Sequence, residues 1–92
     1  MTDELTINKV SHFKISEIDG EFVMIDSVNG VYYQLSDVGC RIFDILDSPS
    51  TVGELVRVIT SEFDVDYLTC KKDTVDFIDQ MIEVGAFCLE SA

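Results

Sequence analysis

The chain has 92 residues, enough for one domain with a modest core. Hydrophobic residues make up 47% of it, which argues against disorder, and no apolar run approaches the ~20 residues that a membrane span needs. Eighteen acidic residues against six basic ones give a formal net charge of −12. Such a charge repels phosphate backbones and anionic membranes and favours cationic partners, although solubility alone is the plainer reading.

The acidic start, Met1-Thr2-Asp3-Glu4, lacks the basic-then-apolar pattern of a signal peptide, so a cytoplasmic protein is expected. Cys40, Cys70 and Cys88 are odd in number and far apart, and His12 is the single histidine. That spacing argues against a disulfide framework or a zinc site and predicts buried free thiols. Asp64-Val65-Asp66 lacks the later glycine and terminal glutamate of a calcium loop. There is no nucleophile elbow and no phosphate-cradling glycine loop. The expectation is a protein that is not an enzyme, with no catalytic residues, metal or cofactor.

Residues 1–5 read as a tail. Residues 6–18 mix β-branched and aromatic side chains with polar ones, and alternation around Phe13, Ile15 and Glu17 predicts an extended segment. Asp19-Gly20 is a hairpin turn, since both residue types tolerate positive φ. A second strand, residues 21–27, is apolar on both faces, which predicts that both faces are at least partly covered. Asn29-Gly30 is a second hairpin turn, followed by a third strand, Val31 to Leu35. Two tight turns in succession make a three-stranded antiparallel meander with the third strand at an edge.

Ser36 or Asp37 can cap a first helix over residues 37–47, with Val38, Ile42, Phe43, Ile45 and Leu46 on one face. Ser48-Pro49-Ser50 ends it. Thr51-Val52-Gly53-Glu54 matches a capping box and opens a second helix that continues to about residue 62. Asp66 is a candidate cap for a third helix over residues 67–84, whose apolar residues spread over about half its circumference at ~100° per residue. Gly85 ends it. Phe87-Cys88-Leu89 either forms a terminal strand or packs under the sheet. The order predicts one α+β domain over residues 1–92, with strands at about 6–35 and helices at about 36–85. Three helices with a small sheet are also the inventory of a winged helix-turn-helix domain.

Two binding readings compete. A nucleic-acid reader needs basic and amide side chains on its reading helix. Helix three offers Lys71 and Lys72 but then Asp73, Asp76, Asp79 and Glu83. Peptide binding fits better. An edge strand presents a row of free N–H and C=O groups, and natural chains either blunt it or use it to accept a partner strand. Val31, Tyr32, Tyr33, Gln34 and Leu35 include no Lys or Pro to blunt that edge. Phe77, Met81 and Val84 of helix three are placed to wall a groove beside it, and Asp73 or Asp76 would attract a basic residue of the peptide. Taken singly, Phe77 and Met81 also suit a core, and Tyr32 or Tyr33 also suits packing on the hairpin. An open edge further permits a monomer or an edge-mediated dimer.

The residues that carry a family resemblance are Phe22-Val23-Met24-Ile25-Asp26, then Asn29 through Ser36, then Val38 through Leu46. Thr51-Val52-Gly53-Glu54-Leu55, Asp73 through Ile78 and the closing Val84-Gly85 complete the series. In this order they resemble the PqqD-like family over about residues 8–90. The resemblance implies a winged-helix-like domain of three strands and three helices that recognises the leader segment of ribosomally made precursor peptides. It places the leader as an added strand beside strand three, against helix three. Asp26 with Gly30-Val31-Tyr32-Tyr33 and Leu35 resembles the stand-alone proteins of lasso-peptide biosynthesis, which deliver a precursor to a leader peptidase and a cyclase or another modifying enzyme. The alternatives are the carrier of the pyrroloquinoline quinone precursor to a radical SAM enzyme and a winged-helix DNA-binding regulator. Cys40 stands where a small residue such as alanine is common in the family, and Met81 where leucine is.

Overall fold

Two turns shape the first half of the chain. Asp19 (φ 53°) and Gly20 (φ 81°) both take the left-handed conformation, and Gly30 (φ 69°) does so in the second turn, as their residue types allow. The structure, a computed structural model, describes residues 4–90. The turns join β2 (Phe13–Ile18), β3 (Glu21–Asp26) and β4 (Val31–Leu35) into an antiparallel meander of order β2-β3-β4. Its register pairs Ile15 with Met24 and Met24 with Tyr33, and Glu17 with Phe22 and Phe22 with Leu35. Side chains alternate across a sheet, so Phe13, Met24 and Leu35 share the face that enters the core, and all three are buried.

The meander and the three helices follow the sequence expectation, but the extended segment over residues 6–18 is two strands. The backbone turns at Val10–Phe13, where the Phe13 N–H donates to the Val10 carbonyl at 3.3 Å. That turn sends β1 (Thr6–Lys9) into a second three-stranded sheet. There β1 lies between β5 (Ser50–Thr51) and β6 (Phe87–Glu90), with Thr6 opposite both Thr51 and Glu90. The tail-end residues left open as strand or packing therefore do both, since β6 is a strand and its Phe87 is buried.

The helices are α1 (Asp37–Ile45), α2 (Val52–Glu62) and α3 (Tyr67–Glu83). Each begins with a side-chain cap. Ser36 accepts from the Gly39 N–H, Thr51 from Glu54 and Asp66 from Thr69. The capping box is partly altered, because the Glu54 carboxylate accepts from the Thr51 hydroxyl at 3.1 Å. Ile42, Leu55, Ile59 and Ile78 meet Ile7, Met24 and Phe87 in one core between the helices and the two sheets. Each such side chain, fully buried, contributes roughly 1.5–3 kcal/mol.

One further expectation needs correction. Of the three thiols only Cys70 is buried; Cys40 is partly exposed and Cys88 exposed, because Cys88 sits on β6 beside the fully buried Phe87 and alternation turns it outward. The expectation that both faces of β3 are at least partly covered agrees with the structure, where Val23 and Ile25 are half-buried although they stand outside the core cluster.

Candidate functional site

The site is assembled where β4 runs into α1. β4 pairs with β3 on one side, and among the described residues its other edge pairs with no strand. The hairpin that carries β4 is fixed by Asp26. Its carboxylate accepts from the backbone N–H groups of Val28 (3.0 Å) and Asn29 (3.1 Å) and from the Asn29 side chain (2.8 Å). The Asn29 amide is the main reason that the Asp26 carboxyl titrates below the ordinary range. Burial opposes it, while the two backbone donors and His12 add to it.

Beyond Leu35, Ser36 stops the strand and caps α1, with its hydroxyl 3.1 Å from the Gly39 nitrogen. Gly39 then allows α3 to approach. The Phe77 ring lies against it and meets the Phe87 ring edge-on, centroids 5.8 Å apart. Phe77 is thereby held at the boundary of the core, half-buried, with one side toward β4.

Between β4 and α3 lies an open cavity of about 640 Å³, lined by Tyr32 to Ser36 on one side and by Phe77, Gln80, Met81, Glu83 and Val84 on the other. It thus brings together Tyr32, Tyr33, Gln34, Leu35, Phe77 and Met81 of the residues expected from sequence. Met81 and Leu35 are also buried core residues, so the core reading of Met81 holds while its side chain also lines the cavity. Val31 is at the start of β4, 41% exposed and off the cavity. Asp73 and Asp76 do not line it either. They are exposed, one helical turn before Phe77 and Gln80 respectively, and Asp76 accepts from the Lys72 ammonium at 3.0 Å. Sequence reasoning missed Ser36, Gln80 and Glu83. Gln80 lies three residues beyond Phe77 and Glu83 three beyond Gln80, so helical spacing sets each beside the one before it.

The cavity has an apolar floor and a rim of Gln34, Gln80, Ser36 and Glu83, beside a strand edge with free backbone groups. Such an arrangement has the free strand edge and apolar floor that strand addition of an extended peptide requires.

A second cavity, about 760 Å³, lies between the β2 side of the meander and α1. Its charges are internally matched. Lys9 is bound to Asp47 and to the Phe43 carbonyl, and Arg41 makes a fork on Glu62 (2.8 and 2.9 Å) and also reaches Asp44. Cys40 lines it, but burial, with Asp44 and Asp37 nearby, pushes its thiol up and makes the reactive thiolate scarce. Among the described residues no group of three or more His, Cys, Asp or Glu is placed to hold a metal ion, and no helix is long and apolar enough to cross a membrane.

A three-stranded meander leading into three helices, with an uncovered edge strand over a helix-walled groove, defines a winged helix-turn-helix-like α+β domain. Residues 21–86 match the family described as coenzyme PQQ synthesis protein D (PqqD). The chain belongs to the PqqD family. Among solved structures it is similar to a lasso peptide synthetase B1 complexed with the leader peptide, with a TM-score of 0.74 and 22% identity over 89% of this chain and 96% of that one. It is also similar to TbiB1 in complex with the TbiA(beta) leader peptide, with a TM-score of 0.74 and 28% identity over 92% of this chain and 96% of that one. No curated protein matches the chain.

Proposed function

We propose that this chain binds the leader region of a ribosomally made precursor peptide by adding it as a strand to β4, and that it delivers the precursor to processing enzymes. The observation that carries the reading is the unpaired β4 edge beside the apolar cavity against α3. Both similar structures named above are complexes with leader peptides, which supports a leader peptide as the ligand. The lasso-peptide route is the favoured pathway, with a leader peptidase and a cyclase as the receiving enzymes. In this role the chain is a binding protein and not a catalyst. The free backbone groups of Val31–Leu35 supply general affinity. The floor of Leu35, Phe77 and Met81 selects apolar side chains, and Asp73 and Asp76 attract a basic residue toward the end of the groove.

The test is fluorescence anisotropy with labelled leader peptides from small precursor genes next to this chain's own, with a duplex DNA control. Saturable leader binding, weakened by substitutions in β4 and α3, is expected. Salt-sensitive DNA binding without leader binding would overturn the reading in favour of a regulator. A second reading, carriage of the pyrroloquinoline quinone precursor, is favoured by the family description itself. Preferential binding of that precursor over lasso leaders would select it.

A further inference from the structure

The meander has two edges, and β2 forms the second. β2 pairs with β3 alone, so among the described residues its outer edge is as free as that of β4. The cavity of about 760 Å³ lies beside it, lined by Phe13, Lys14 and Ile15 of β2 and by Asp37, Cys40, Arg41 and Asp44 of α1, which helical spacing sets on one face. Its apolar floor is Phe13, Ile15, Phe22, Phe43 and Phe63. A free strand edge beside a helix-walled apolar cavity thus occurs twice, once on each side of the same three strands.

The charges of this cavity differ between its ends. At one end Lys9 donates to Asp47 and to the Phe43 carbonyl. At the other, burial first and then Asp44, Asp37 and Glu17 push the Cys40 thiol up, so three carboxylates lie near it. Glu17 shares the inner face of β2 with Phe13 and Ile15 by alternation, and it sits opposite Phe22, which sits opposite Leu35, two residues before Asp37. Arg41 donates to Asp44, whereas among the described residues Glu17 and Asp37 are paired with nothing. An apolar floor that ends at two free carboxylates suits an extended peptide that is apolar at alternate positions and carries Lys or Arg at one end.

We propose that the cavity between β2 and α1 is a second peptide site, filled by the part of the precursor that lies beyond the leader. That segment pairs with the β2 edge, sets apolar side chains on the floor and brings a Lys or Arg to Glu17 and Asp37. This role rests on the leader-binding reading above. Tethering decides the occupant. Strands added at the two edges would lie four strand spacings apart, ~19 Å, which roughly six extended residues span. Once the leader is held on β4, the rest of the same precursor meets β2 at an effective concentration on the order of millimolar, which a free partner does not reach. A second copy would oppose one chain of net charge −12 with another. Lysine on an edge strand disfavours indiscriminate pairing, so with Lys14 present the cavity supplies the selectivity.

The experiment gives the full chain either the labelled leader alone or the labelled full-length precursor, both from the precursor gene next to this chain's own. Affinity is read by anisotropy, and position by the amide chemical shifts of the isotopically labelled chain. The full-length precursor is expected to bind about tenfold or more tighter than the leader, and to shift β2 and residues 43–47, which the leader alone leaves unchanged. Glu17→Lys with Asp37→Asn alters two exposed positions. It should keep leader affinity within about twofold of wild type and cut the full-length advantage to less than about threefold. Equal affinities with no added shifts would overturn the second site and leave leader binding standing, and so would an undiminished advantage in the folded variant. Shifts in β2 caused by the leader alone would overturn it by assigning that edge to the leader. Shifts in β2 that grow with chain concentration in the absence of peptide would overturn it in favour of a second copy. Absence of leader binding by wild type would overturn both readings together.

Discussion

A Cβ placed on Gly39 would lie 3.0 Å from Cε1 and 3.2 Å from Cζ of Phe77. The first turn of α1 and the middle of α3 therefore pack closely where residue 39 has no side chain, and the Phe77 wall of the groove rests on that contact. Gly39→Ala should gain about 1 kcal/mol of helix propensity and lose a comparable amount to crowding, so stability changes little. The Phe77 ring must shift by a few tenths of an ångström, and about a threefold or larger change in leader affinity is expected. A melt paired with an anisotropy titration separates the two effects.

Phe77→Ala removes the groove wall and a ring that also packs on Phe87. Because Phe77 is only half-buried, the stability loss should fall short of the ~3–5 kcal/mol of a fully buried Phe→Ala change. Leader affinity should fall about tenfold or more. A folded variant that binds leader normally would show that the groove lies elsewhere.

Tyr32 and Met81 both line the cavity but differ in burial, at 63% and 5% exposed. Tyr32→Ala should leave stability within about 0.5 kcal/mol of wild type while weakening leader binding. Met81→Ala should cost roughly 2–5 kcal/mol in urea unfolding, because it opens a void in the core as well as in the groove.

Asp26 makes the hairpin sensitive to acid. Its carboxyl titrates below the ordinary aspartate value of 3.8, first because of the Asn29 side chain. A depressed folded value means that its stabilising effect is fully present above the ordinary value and is lost as pH falls through the lower folded one. Asp26→Asn should therefore melt at a lower temperature than wild type at neutral pH. The gap should narrow as the pH is lowered below that value. A constant gap down to the acid limit would show that the ionised carboxylate is not what holds the turn.

Lys71→Ala with Lys72→Ala should change leader affinity by less than about twofold, since neither lysine lines the groove. A large loss would point to an acidic ligand.

The sequence by itself determined the local structure. Asp19-Gly20 and Asn29-Gly30 supplied positive φ where the chain reverses, Thr51 and Asp66 capped the helices they precede, and an unblunted Tyr32-Tyr33-Gln34 marked the edge strand. Such features are legible because each depends on residues a few positions apart. Tertiary structure alone decided what distant residues share. β1 leaves the meander for β6, some eighty residues away in sequence, and no local pattern encodes that pairing. The close approach of Phe77 to Gly39 likewise follows from how α3 crosses α1, and the same packing brings Met81 but not Asp73 to the cavity beside β4. The face of β3 that carries Val23 and Ile25 reads from sequence as at least partly covered, and both residues are half-buried. Only the arrangement of the layers keeps them out of the core, because both sheets and all three helices close on a single core on the other side.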